Sequence, residues 1–221
     1  MELITNRTQA NVNRVAMLRA RIAAGTATEA ERMEYLYGYT EAAESLDGLL
    51  LADSTGEALE LYSGEQLGAY NAIDLNRVET AVEELQEAMN AAPEGLQALA
   101  DSLGVGWDGL YDMPFGTFDL ETRTDWAEAD FPTAPEMERY LTNVRQLVTA
   151  LGLAAEVLPT SMGNLTYQGA NRIEEMLVRG QESLETLIQT REGWITNTAA
   201  AWVHAGAVPS GLLYDQIGGG A

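Results

Sequence analysis

Cysteine and lysine are both missing from the 221-residue sequence. Without a thiol there can be no disulfide, no thiolate metal site and no cysteine nucleophile. His204 is the only histidine, so multi-histidine metal sites lack their parts. Beside Trp202 and Val203 it reads as a structural residue rather than a ligand. No apolar run approaches the ~20 residues that a membrane-spanning helix needs; the densest, Leu49 to Ala52, is far too short. No charged start followed by an apolar stretch opens the chain, so the expectation is a soluble protein made in a reducing cytoplasm without a signal peptide. Basic charge is scarce as well. Twelve arginines face 34 acidic residues, a formal net charge of −22. That balance disfavours nucleic acid and anionic membranes as partners, since both present negative charge. It suits a solvated surface or docking onto a basic partner.

What is present is helical periodicity. From Tyr70 to Met89, apolar residues fall at Leu75, Val78, Val82, Leu85 and Met89, one stripe down one helix face. Asn71 is placed to cap this helix, with Asp74 three residues on, and Pro93 is expected to end it. Its core, Asn76-Arg77-Val78-Glu79, returns at Asn171-Arg172-Ile173-Glu174 and weakly at Asn13-Arg14-Val15. Asp74 and Arg77 stand three apart, a stabilising helix pair. Glu83, Glu84 and Glu87 crowd the C-terminal half of the expected helix, where the macrodipole disfavours them.

Other helices follow the same logic. Thr8 caps one with Val12, Val15, Leu18 and Ile22 as its stripe and Gly25 as its stop, within residues 4–24. Thr28 and Glu31 form a capping box for a second, which could run on towards Gly48. Residues 49–68 read as a loop with hairpin signals. A short helix is expected from Pro93 to Leu103, stopped by Gly104. Thr133 and Glu136 open a helix carrying Met137, Tyr140, Leu141, Val144, Leu147, Val148 and Leu151, ended by Gly152. Thr166 caps a long one with Ile173, Leu177, Gly180, Leu184 and Leu187, expected to run to about residue 191. The apolar tail from Ala199 reads as extended or hairpin.

Residues 104–132 differ: glycine, aromatics and aspartate without a 3.6 period, and a period-two stretch from Thr117 to Thr122 that predicts a strand. Gly104-Val-Gly106-Trp-Asp-Gly109 matches the dinucleotide fingerprint only in letters, because it follows a helix and runs into Pro114. Asp119, Glu121 and Asp125 lack the spacing and turn glycine of a calcium loop. The sequons at Asn6 and Asn164 are explained by Thr8 and Thr166 as caps. The expected fold is mainly α. It is a multi-helix bundle with an irregular, β-containing middle (104–132) between an N-terminal helical half (1–103) and a C-terminal one (133–198), and an extended tail (199–221), possible as a single domain overall. Candidate interface residues are Trp107, Tyr111, Phe115, Phe118, Trp126, Phe131, Trp202 and His204, since aromatics anchor contacts. The candidate structural motif is Asn71, Asp74, Asn76, Arg77, Glu79, Asn171, Arg172 and Glu174. No residue set nominates a catalytic, cofactor or metal site.

Several stretches together carry a resemblance. They are Ile4-Thr-Asn-Arg-Thr-Gln-Ala-Asn-Val-Asn-Arg-Val15, Gly68-Ala-Tyr-Asn71 with Asp74-Leu-Asn-Arg-Val-Glu79, and Thr124-Asp-Trp126 with Pro132-Thr133 and Met137-Glu-Arg-Tyr-Leu141. Ser161-Met162, Leu165-Thr-Tyr-Gln168 with Asn171, and Ala-Ala-Trp202 with Gly206 continue the pattern. The chain resembles small tail-region structural proteins of bacteriophages and prophages of Gram-positive hosts. The resemblance implies a virion component of the tail or baseplate region, acting in assembly without catalysis or cofactor. Its partners would be other virion proteins and copies of itself, with no nucleic acid and no membrane. A head-neck or collar protein is one alternative. A receptor-binding adaptor for host-surface glycan, using an aromatic groove from 107–131, is another, and a glycan-cleaving enzyme is a third.

Overall fold

The structure, a computed structural model, describes residues 3–37, 70–106, 113–127 and 129–204. Five α-helices account for most of them: α1 Gln9–Ala23, α2 Glu29–Tyr37, α3 Ala72–Ser102, α4 Ala134–Ala150 and α5 Tyr167–His204. A single 3₁₀ turn, Ala155–Val157, lies between α4 and α5. The protein is mainly helical, as the periodicity predicts. The expected loop at 49–68 and any extension of the second helix towards Gly48 fall outside the described residues.

Helix ends obey local chemistry. Thr28 and Glu31 bond reciprocally, as do Thr133 and Glu136, and Thr8 makes the same box with Asn11. Asn71 Oδ1 accepts from Ile73 N–H at 2.9 Å, while Asp74 accepts from Asn71 N–H. Thr166 Oγ1 takes the Gly169 N–H. Three helices stop on glycines with positive φ: Gly25, Gly104 and Gly152. At Gly152 the next residue, Leu153, returns its N–H to Val148 O at 2.9 Å, a closure that requires the left-handed conformation glycine tolerates.

The capping box on α4 makes a pH prediction. The Thr133 backbone N–H, then the Thr133 hydroxyl and the Arg123 charge, hold the Glu136 carboxyl below its ordinary value. A lowered folded value means that the contribution is present above the ordinary glutamate range, about 4.3, and is lost as pH falls through the folded value. Protection of the first-turn amides of α4, measured against their intrinsic exchange rates, is expected to fall on acidification through that window. In Glu136→Gln that protection is expected to be low already near neutral pH, and an unchanged protection profile in that variant would refute the assignment.

The contacts divide the chain into two units that interleave in sequence. One comprises Met1–Glu79, Arg123–Leu141 and Leu158–Glu175; the other Thr80–Thr122, Thr142–Val157 and Met176–Ala221. Helices α3, α4 and α5 each contribute a segment to both. The first unit buries Leu18, Leu75, Val78, Tyr140, Leu141 and Ile173. The second buries Val82, Leu85, Met89, Val144, Leu147, Val148, Leu177 and Leu184. Here Gly180 lets two helices close up, since a Cβ on it would stand 3.1 Å from Leu85 Cδ2. Leu96, Ala100, Val105 and Ile195 form a further cluster in the same unit.

Three expectations are corrected. Pro93 does not end a helix; it lies inside α3. An interior proline costs about 3 kcal/mol, and the buried face that continues through Met89, Ala92, Leu96 and Ala100 offsets it. Glu83, Glu84 and Glu87 consequently sit in mid-helix, away from the C-terminal dipole. The second correction concerns Thr117 to Thr122, which forms no strand; no strand occurs among the described residues. The alternation is real, with Phe118, Leu120 and Thr122 half-buried and Thr117, Asp119 and Glu121 exposed. Side chains on helices replace a strand partner. Asn90 bonds both Phe118 N–H and Phe118 O at 2.8 Å, Gln86 Oε1 accepts from Leu120 N–H, and Asn143 donates to Glu121 O. Third, Ala199 to His204 is the helical end of α5, not an extended tail; its alanines are strong helix formers. Residues 205–221 lie outside the described set.

Candidate functional site

The repeated Asn-Arg-(Val/Ile)-Glu pattern builds the most unusual feature of the first unit. Asn and Glu stand three apart in each copy and so share a helix face. On α3, Asn76 Oδ1 accepts from Trp126 N–H at 2.7 Å and its Nδ2 donates to Trp126 O at 2.9 Å. On α5, Asn171 treats Arg7 in the same way, at 3.0 and 2.9 Å. Each amide presents one acceptor and one donor to an extended segment, the pair of bonds that a neighbouring strand would otherwise supply. One turn further, Glu79 and Glu174 are both buried and both hold an arginine brought by another segment. Arg139 Nη2 meets Glu79 at 2.9 Å, and Arg7 Nη2 meets Glu174 at 2.6 Å. The arginines of the two copies differ: Arg77 is buried, whereas Arg172 is exposed and pairs with Glu175.

Around Glu174 four charges are withdrawn from water. Arg77 donates Nε and Nη2 to Glu174, each at 2.9 Å, and also pairs with Asp74. Arg7 Nη2 reaches Asp74 at 2.7 Å as well as Glu174, and its Nη1 donates to Ile4 O at 2.7 Å. The Ile4 N–H donates to Glu174 Oε2 at 2.5 Å. All four side chains are at most 4% exposed. Two guanidinium and two carboxylate groups cancel formally, the condition under which burying them is tolerable. Burial opposes the charges on Arg7 and Arg77, but Glu174 and Asp74 outweigh it and push both guanidinium groups above their ordinary value.

Two tyrosines close the site. Arg7 lies over the Tyr70 ring, 5.5 Å from its centroid, and the Tyr70 and Tyr140 hydroxyls share a hydrogen bond. Burial, with Asp74 and Glu174 nearby, pushes the Tyr70 phenol up; burial and the Tyr70 hydroxyl do the same to Tyr140. A raised folded value contributes stability below the ordinary tyrosine value of about 10, and that contribution is lost as pH rises through the folded value. Among the nine tyrosines, these two are expected to ionise only with unfolding. A phenolate absorbance titration of wild type should show a steep step that coincides with loss of helical circular dichroism. The Tyr70→Phe/Tyr140→Phe variant should unfold at higher pH, and coincident curves for the two proteins would refute the reading.

The structure thus brings Asn71, Asp74, Asn76, Arg77, Glu79, Asn171 and Glu174 together, and leaves Arg172 outside. The candidate interface aromatics differ in their surroundings. Trp126 is a core residue at 4% exposure, under the Arg123 guanidinium at 3.9 Å, and its indole N–H has no acceptor. Phe115 and Phe118 are half-buried, with their rings 6.3 Å apart. Phe131 is 90% exposed, and Trp202 and His204 are exposed on the last turn of α5. Trp107 and Tyr111 lie outside the described residues. Arg7, Tyr70, Tyr140, Arg139 and Asn90 were not among the candidate site residues read from the sequence, although Tyr140 stood in an apolar helix stripe. Asn143 carried the one usable signal, an amide set in the apolar stripe between Leu141 and Val144.

Among the described residues no cluster of three or more acidic or histidine side chains could hold a metal ion, and no helix is long and apolar enough to cross a membrane. Fold and site define a mainly helical protein organised by buried polar interactions. Compared with known proteins, the chain matches no family model, and no curated sequence or solved structure is significantly similar to it.

Proposed function

We propose that this chain is a structural component of a bacteriophage virion, a helical bundle of the tail or baseplate region that acts in assembly without catalysis. One observation carries the reading. The stretches that resemble phage tail proteins, at Arg7, Asp74 to Glu79, Trp126 and Asn171, are those whose polar groups bind one another inside the first unit. Their chemistry is spent on holding segments in place, as a part of an assembly requires. The partners of that role are other virion proteins and copies of itself. The test is a mass-spectrometric inventory of gradient-purified particles from a strain carrying the gene. Peptides of this chain are expected in tail-containing fractions in fixed proportion to other tail proteins. Expression during induction with absence from washed particles would overturn the proposal, and recovery with tail-less heads would move the protein to the neck.

A further inference from the structure

The acidic and aromatic walls of the pocket that holds Arg7 belong to other segments. Asp74 on α3 and Glu174 on α5 are both held by Arg77, which donates Nε and Nη2 to Glu174 and pairs with Asp74. Tyr70 is fixed by the hydrogen bond between its hydroxyl and that of Tyr140. Residues 4–7 lie over this frame as its outer cover, with Ile4 and Arg7 buried and Thr5 and Asn6 exposed. The Arg7 guanidinium is gripped at its far edge. Its Nη2 meets Asp74 at 2.7 Å and Glu174 at 2.6 Å, and the Tyr70 ring centroid lies 5.5 Å away. Its buried Nε, on the stem side, has no acceptor. The pocket therefore reads the end of a guanidinium group and not the chain that carries it.

We propose that Asp74, Glu174 and Tyr70 form a binding site for a guanidinium cation, with Arg7 as its resident ligand and residues 4–7 as the strap that delivers it. With the Arg7 side chain removed, the same pocket takes a free guanidinium ion from solution. Charge demands a cation there. Two carboxylates against the single guanidinium of Arg77 leave one net negative charge in a buried place, which is costly unless it is paired. Shape and hydration choose which cation. A guanidinium is planar and less strongly hydrated than an ammonium, so it gives up water more readily and can meet carboxylates at its edge. The face of Tyr70 adds a cation–π contact. Because Arg77 bridges both carboxylates without help from the strap, the loss of Arg7 leaves the acceptors in position. The inference does not depend on the virion reading.

The test uses the full chain, with guanidinium chloride at about 20 mM as the probe, where its denaturing effect, linear in concentration, is slight. Arg7→Ala is expected to gain about 3 °C or more in thermal midpoint, the shift for a ligand at about ten times its dissociation constant. Wild type, already filled, is expected to gain nothing. Sodium chloride and methylammonium chloride at the same concentration are expected to leave Arg7→Ala unchanged. Arg7→Ala/Glu174→Gln locates the ion: its remaining charges, Asp74 and Arg77, balance, so guanidinium should not raise its midpoint. If Arg7→Ala is unfolded, the same additions are read as recovery of helical circular dichroism, which guanidinium alone is expected to restore. No gain or recovery with guanidinium would overturn the proposal. So would an equal effect of methylammonium or sodium, an equal gain in wild type, or a gain that persists in the double variant.

Discussion

Replacing Glu174 with glutamine is expected to destabilise the protein by about 3–5 kcal/mol, the usual penalty for removing one member of a buried ion network. Glutamine keeps the shape and still offers an oxygen to Ile4 N–H, so packing is nearly unchanged. What changes is charge: Arg7 and Arg77 would share Asp74 alone, and the new amide N–H₂ would point at guanidinium donors that need acceptors. Chemical denaturation monitored by circular dichroism measures the loss. Arg172→Gln is the matched control, since this residue sits in the same repeat but on the surface, paired with Glu175; its effect should stay within about 0.5 kcal/mol. Equal effects from the two substitutions would mean that the network contributes nothing specific.

Asn76→Ala is expected to cost about 2 kcal/mol, because it strands both the N–H and the C=O of Trp126 in a partly buried place. Asn76→Asp sharpens the test. It retains the acceptor for Trp126 N–H but sets a carboxylate oxygen against Trp126 O where an amide N–H₂ had donated. The aspartate variant should therefore be no more stable than the alanine one, and it should red-shift Trp126 fluorescence as the ring gains water. A fully stable Asn76→Asp would show that only one of the two bonds matters.

These predictions mark where sequence reasoning was sufficient. Helix starts were readable because capping is local: Thr28 with Glu31, Thr133 with Glu136 and Asn71 with Asp74 need only residues three apart. Stops at Gly25, Gly104 and Gly152 were readable for the same reason. The stripe Leu75, Val78, Val82, Leu85 and Met89 is buried throughout, as its spacing predicts. Where local rules met a longer-range force, they failed. Pro93 breaks a helix in isolation, yet the apolar face that continues past it keeps α3 whole. The alternation at Thr117 to Thr122 selects extended backbone but cannot say what satisfies it, and the answer was Asn90, Gln86 and Asn143 on helices rather than a second strand.

The candidate site divides in the same way. The repeat announced Asn76, Glu79, Asn171 and Glu174 as a matched set, and the Asp74–Arg77 pair was visible from a spacing of three. Nothing in the order of residues tells that Arg7, 167 positions before Glu174, would supply the balancing charge, or that Tyr70 and Tyr140 would meet. By itself the sequence determined helix type, helix ends and which faces are apolar, since those follow from neighbours within one or two turns. Tertiary structure alone decided which charges were withdrawn from water and which segments the amides hold, because a buried ion is tolerable only where groups distant along the chain converge to neutralise it.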